Sequence, residues 1–159
     1  MRNNPKIKSL AALKKTVQVL RGKKKRIVFT NGCFDLLHRG HIQYLKKARS
    51  LGNALIIGLN SDASVRRLKG SDRPATKQAD RAEILAGLEF VDYITIFNQD
   101  TPLKLIKQIK PDVLVKGADW KKSRVVGKDI VEAYGGRVEL IKYLKGYSTT
   151  GLLKNISNA

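Results

Sequence analysis

The chain is predicted to fold as one doubly wound α/β domain, a parallel five-stranded sheet with helices on both faces. Three observations predict it. Five short apolar runs, at 27–30, 54–59, 92–96, 112–116 and 137–141, alternate with segments of helical periodicity. The first two, IVFT and ALIIGL, carry no charge and do not alternate, the pattern of strands covered on both sides. Right-handed crossovers between parallel strands then distribute the helices over the two faces.

Each element follows in order. Leu10, Leu13, Val17 and Leu20 share one face of a helix over 9–21, with Ser9 placed to cap its start and Gly22 closing the pattern. Ile27-Val28-Phe29-Thr30 is the first strand. Ile42, Leu45, Ala48 and Leu51 line a helix over 40–51, which Gly52 stops. The second strand covers 54–59, and the polar stretch 68–78 (LKGSDRPATKQ) reads as a loop. A helix at 79–89 and a strand at 92–96 come next. Asp100-Thr101-Pro102 announces a helix over 102–109, with Thr101 as cap and Pro102 in the first turn. The remainder is a strand at 112–116, a loop at 117–123, a helix at 124–134, a strand at 137–141 and a last helix from Ser148. Residues 1–25 form a basic helical extension ahead of a single domain at 26–159.

A chain of 159 residues supports one core without staples. Its single cysteine, Cys33, excludes an internal disulfide and a multi-cysteine zinc cage, and suits a reducing compartment. No apolar run approaches the length of a membrane span, and the N-terminus lacks the apolar core of a secretory signal, so a cytoplasmic protein is expected. The charge is unusual: 32 Lys and Arg against 13 Asp and Glu give +19, and residues 1–26 carry ten basic side chains and no acidic one. Such a field attracts polyanions, whether nucleic acid, anionic membrane or a polyphosphate ligand. No nucleic-acid reader motif accompanies it, so a specific nucleic-acid module is the weaker reading.

Ligands of a doubly wound sheet bind beyond the carboxyl ends of its strands. The loop after the first strand, Thr30 to His41, opens a helix, so free backbone N–H groups and the positive helix end face the cleft. Gly32 and Gly40 allow close backbone approach. His38 and His41, three residues apart, can donate to phosphate oxygens and steady developing charge. They could alternatively begin a metal site, but the chain holds no other histidine and only Cys33 and Asp35 lie near, short of a zinc set. Asp35 is open between substrate contact and capping the turn. Neither a G-x-G-x-x-G fingerprint nor a Walker A sequence is present.

GCFDLLHRGH, residues 32–41, resembles the GxFDxxHxGH signature of the cytidylyltransferase-like nucleotidyltransferase superfamily. FTNGCFDLLHRGHIQYL (29–45), GLNSDASVRRLKG (58–70), DRAEILAGLEFVDYI (80–94), DTPLKLIKQIKPDVLVKGADW (100–120), GGRVELI (135–141) and GYSTTGLL (146–153) are similar to the D-glycero-β-D-manno-heptose 1-phosphate adenylyltransferases. The similarity spans about 8–156, and a standalone form without the kinase half of the bifunctional members is expected. It implies a Rossmann-like nucleotidyltransferase domain, ATP and a sugar phosphate as substrates, Mg²⁺ held mainly by the ATP phosphates, a homodimer, and a product destined for surface glycan.

Residue roles carry over by position. His38, His41, Lys69 and Arg81 match the catalytic set, although Arg81 could instead be a solvated partner of Asp80 or Glu83. Asn31, Gly32, Cys33, Phe34 and Gly40 line the nucleotide turn; Cys33 is read as an inert buried thiol in preference to a reactive one. Gly117, Asp119 and Trp120 match the loop near the nucleotide sugar and base, where relatives more often show Gly-Gly-Asp-Tyr, and Trp120 has surface packing as its alternative. Asp35, Asn60, Asp62 and Lys116 are the substrate-side candidates; Asn60, Ser61 and Asp62 could instead cap the following short helix. Ser148, Thr149 and Thr150 match the family's last helix start, a phosphate seat. Cytidylyltransferases carry an arginine five residues before that serine, where this chain has Tyr143 between Lys142 and Lys145.

Overall fold

The computed structural model describes residues 4–118, 121, 124–142, 144, 146, 147, 149, 151 and 153. Its elements run α1 (Leu10–Gly22), β1 (Ile27–Gly32), α2 (Arg39–Arg49), β2 (Ala54–Asn60), α3 (Asp62–Lys69), α4 (Gln78–Ala86), β3 (Tyr93–Phe97), α5 (Leu103–Ile109), β4 (Val113–Gly117), α6 (Lys128–Ala133) and β5 (Arg137–Ile141). The five strands form one sheet in the order β3-β2-β1-β4-β5, and every neighbouring pair is parallel. The chain winds outward from β1 to β3, returns, and winds the other way through β4 and β5. That reversal puts the switch point between β1 and β4.

Strand alternation sorts the apolar residues into two cores. Val28, Leu55, Ile57, Val113 and Val115 face α2 and α4, where they meet Leu45, Ala48 and Leu85. Ile27, Phe29, Ile56, Leu114 and Val138 face the other way, toward Leu105 and Ile106 of α5 and Val131 of α6. The basic N-terminal helix belongs to this second layer. Ser9 caps α1 by accepting from the Ala12 N–H at 3.2 Å, and Leu13 and Val17 are buried against the sheet. The residues before it extend the sheet edge: Lys8 N–H donates to the Ile94 carbonyl, and Ile94 N–H to that of Lys6, both at 2.8 Å.

Several element ends move from expectation. The helix read over 124–134 shortens to α6 because Gly127 sits in the left-handed region at φ 87°. A Cβ there would also meet Ile106 at 2.7 Å. Thr101 makes no cap; α5 begins at Leu103 after Pro102 with no side-chain cap bond, which leaves 101–102 free to form a cleft rim. The expected loop starts later, since α3 continues through Leu68 and Lys69. Among the described residues no helix is long and apolar enough to cross a membrane.

Candidate active site

The switch point opens into a cleft of about 610 Å³ beyond the carboxyl ends of β1 and β4. Distant parts of the chain meet there: the turn after β1, the end of α3, Lys116 of β4, the 101–102 rim and Thr149. Thr149 Oγ1 donates to the Leu36 carbonyl at 3.3 Å, joining the last part of the chain to the first loop.

The turn leaving β1 is tight. Phe34 adopts φ 43°, rare for a residue with a side chain, and its ring packs edge-on to His41 at 5.3 Å between centroids. A Cβ on Gly32 would lie 2.9 Å from that ring, so glycine is required for the turn to fold over itself. His38 then caps α2, its Nδ1 accepting from the His41 N–H at 3.3 Å. The two imidazoles stack 3.8 Å apart at an interplanar angle of 17°. Gly40 lies buried beneath them, where a Cβ would come within 3.0 Å of His38 Nδ1. Burial, and then the neighbouring His38, hold His41 down to about 4, with the Leu36 carbonyl pulling weakly the other way. Burial likewise lowers His38. Both rings are therefore neutral hydrogen-bonding groups near pH 7.

Cationic groups flank the pair. Lys69 reaches the cleft from the last turn of α3, and Lys116 Nζ donates to Asn31 Oδ1 across the β1–β4 boundary. Cys33 lines the same wall, and burial pushes its thiol up, against the pull of Lys69 and Arg81. A protonated, partly buried thiol is an inert lining group. Asn60 borders the cleft and donates to Ser64 Oγ at 2.9 Å, while Ser61 caps α3 through Ser64 N–H.

The structure redistributes three of the expected site residues. Arg81 lies behind the cleft wall, 1% exposed, neither in the cleft nor facing Asp80 or Glu83. Its Nε donates to the Thr76 carbonyl at 2.9 Å, Nη1 to the Cys33 carbonyl and Nη2 to Asp62 Oδ1 at 2.7 Å. Asp62 is thereby engaged with the scaffold. Asp35 does not cap its own turn: its buried carboxylate accepts from Arg73 Nε at 2.7 Å and from the Ala75 and Thr76 N–H groups at 3.0 Å each. These bonds tie the 73–76 segment to the histidine loop. Gly117 ends β4 one residue beyond Lys116. Asp119, Trp120, Ser148 and Thr150 lie outside the described residues, as do Tyr143 and Lys145; Lys142 is exposed.

Several cleft-lining residues escaped the sequence reading, Arg73 and Tyr147 among them. Arg73 sits in a stretch without periodicity, and only the acceptor 38 positions away reveals it. Tyr147 stands next to the expected hydroxyl run, and its ring lies 6.3 Å from that of His38. An arrangement of neutral imidazoles, ammonium groups and hydroxyls around one void is suited to a polyanion. Among the described residues no group of three or more His, Cys, Asp or Glu gathers as a metal cage.

The chain is similar to known proteins along nearly its whole length. Bifunctional protein HldE of Geotalea uraniireducens is 56% identical over 154 residues, covering 97% of this chain and 31% of that protein. Bifunctional protein HldE of Campylobacter concisus is 58% identical over the same coverage. The chain thus spans about a third of the length of the curated relatives it matches. The crystal structure of a lipopolysaccharide core biosynthesis protein from Thermoplasma volcanium superposes with a TM-score of 0.63 at 27% identity, covering 78% of this chain and 99% of that one. Pantoate-beta-alanine ligase from Francisella tularensis, at 17% identity and a TM-score of 0.64, covers 96% of this chain and 76% of its own and shares the fold. The cytidylyltransferase-like family profile matches residues 29–154, from within β1 to beyond Thr149, the last cleft contributor among the described residues. On that match, the chain belongs to the cytidylyltransferase-like family.

Proposed function

We propose that the chain is an adenylyltransferase that converts ATP and D-glycero-D-manno-heptose 1-phosphate into ADP-heptose and pyrophosphate. The observation that carries this reading is the convergence of the stacked His38–His41 pair with Lys69, Lys116 and Thr149 on one cleft at the switch point. The choice of sugar rests on the motif similarity at 58–70 and 100–120 and on the likeness to the bifunctional relatives.

In the reaction, a sugar-phosphate oxygen attacks the α-phosphorus in line. A new P–O bond forms, the bond to the bridging oxygen breaks, and its electron pair leaves with pyrophosphate. The nucleophile is already anionic, so neither a general base nor a covalent intermediate is required. Catalysis then rests on positioning and on donors aimed at the phosphates. Neutral His38 and His41 donate without the desolvation cost of a buried cation, and a bound triphosphate raises their proton affinity as charge develops. Lys69 and Lys116 add fixed positive charge, and Thr149 adds a hydroxyl. Mg²⁺ would neutralise phosphate charge and would be held mainly by the phosphate oxygens, in keeping with Asp35, Asp62 and Asp100 each being engaged by an arginine. The same reading carries a cytoplasmic homodimer.

The test is pyrophosphate release with ATP or CTP, each paired with heptose 1-phosphate or glycerol 3-phosphate. Release with ATP and heptose 1-phosphate alone is expected. Preference for CTP with glycerol 3-phosphate would assign a different member of the family, and no release with any pair would end the reading.

A further inference from the structure

Two arginines lie beside the histidine loop, and their surroundings differ. Arg81 is fully engaged: all three guanidinium nitrogens donate to protein acceptors and the side chain is sealed from solvent. Arg73 borders the cleft with its side chain 19% exposed, and only Nε is engaged, on Asp35. Among the described residues its two Nη groups have no hydrogen-bond partner. The remaining N–H donors therefore form an open fork at the edge of a cleft that already gathers Lys69, Lys116 and two imidazoles.

A guanidinium held at Nε by a buried carboxylate has less rotamer freedom left to lose, so it meets a phosphate at lower entropic cost. The clamp is firm. Asp35 has a side chain 1% exposed and takes two backbone N–H groups of the same segment besides Arg73. Burial by itself would raise its pKa, but the Thr76 and Ala75 N–H groups and Arg73 hold it below the ordinary carboxylate value, so the anchor stays charged.

Resting on the adenylyl-transfer reading, we propose that Arg73 is a binding residue for a substrate phosphate, its open fork closing on phosphate oxygens, and that Asp35 is the positioning residue that aims it. The phosphate can belong to ATP or to the sugar, and the experiment separates them. Calorimetry measures Kd for ATP alone, and for heptose 1-phosphate in the presence of saturating α,β-methylene-ATP, with wild type, Arg73→Gln, Arg73→Lys and Asp35→Asn. Arg73→Gln should weaken one of the two ligands about 10- to 100-fold, the range for lost charge-assisted hydrogen bonds, and leave the other within about twofold. Arg73→Lys should recover part of that loss, and Asp35→Asn should weaken the same ligand less than Arg73→Gln does. Melting temperatures taken alongside separate binding from folding. Arg73→Gln with both affinities unchanged, or with both falling in step with the melting temperature, overturns the proposal. Wild type that binds neither ligand would instead remove the adenylyl-transfer reading, and this inference with it.

Discussion

Replacing Arg81 with methionine keeps the aliphatic packing of the stem and removes the buried guanidinium. The structure sets the cost. Two carbonyl oxygens, of Cys33 and Thr76, lose their donor in a part-buried setting, at roughly 1–3 kcal/mol each. Asp62 loses its partner as well, but its side chain is 22% exposed and water replaces most of that interaction. The sum is about 3–5 kcal/mol, the range for breaking a buried ionic contact by removing one side. At roughly 2–4 °C per kcal/mol for a domain of this size, the melting temperature should fall by about 10 °C. Circular dichroism at 222 nm measures this, with Asp62→Asn expected to lose much less. A methionine variant melting within about 2 °C of wild type would refute the scaffold role. If turnover nevertheless vanished in that variant, the guanidinium would have to serve substrate directly.

Other consequences are as specific. His41→Ala should lower kcat by about 10²-fold or more, the scale of a lost transition-state donor, and near-normal turnover would exclude His41 from the chemistry. Stability should depend on pH through the same residue: with the folded value near 4 against an ordinary 6.5, the native state binds fewer protons than the unfolded chain as pH falls below 6.5. Stability is therefore lost from about pH 6.5 down to 4 and levels off below; between pH 7 and 5 the loss is about 2 kcal/mol, read by urea denaturation, and His41→Gln should largely abolish it. His38 acts in the same direction. Leu13→Ala should destabilise by about 2–5 kcal/mol in the same assay, since Leu13 is 0% exposed against the sheet; a change under about 1 kcal/mol would mean that α1 is a detachable extension.

Much of the architecture was legible in local pattern. Strand and helix periods follow from which side of an element faces the core, and that information repeats every few residues. The continuous apolar runs at 27–30 and 54–59 therefore indicated strands covered on both faces before any pairing was seen. The histidine loop was legible for a related reason: a turn between a parallel strand and its helix must open at the carboxyl end of the sheet, wherever its neighbours lie. Ser9 as the cap of α1 is likewise a matter of adjacent residues.

Element ends were less secure. The αL glycine at 127 and the uncapped start after Pro102 depend on packing against Ile106 and on the cleft rim, not on local preference. The allocation of charges was not legible at all. Asp35 and Arg73 are separated by 38 positions, and Arg81 and the Cys33 carbonyl by 48. Nothing in the residue types tells which arginine will be sealed behind the wall and which will border the void. That is decided by which acceptors the assembled sheet presents within hydrogen-bond reach, because a buried guanidinium is tolerated only where every direction it points is answered. Periodicity determined that a parallel α/β sheet with a cleft at its carboxyl end would form; tertiary structure alone determined which charges were consumed in building that cleft and which were left lining it.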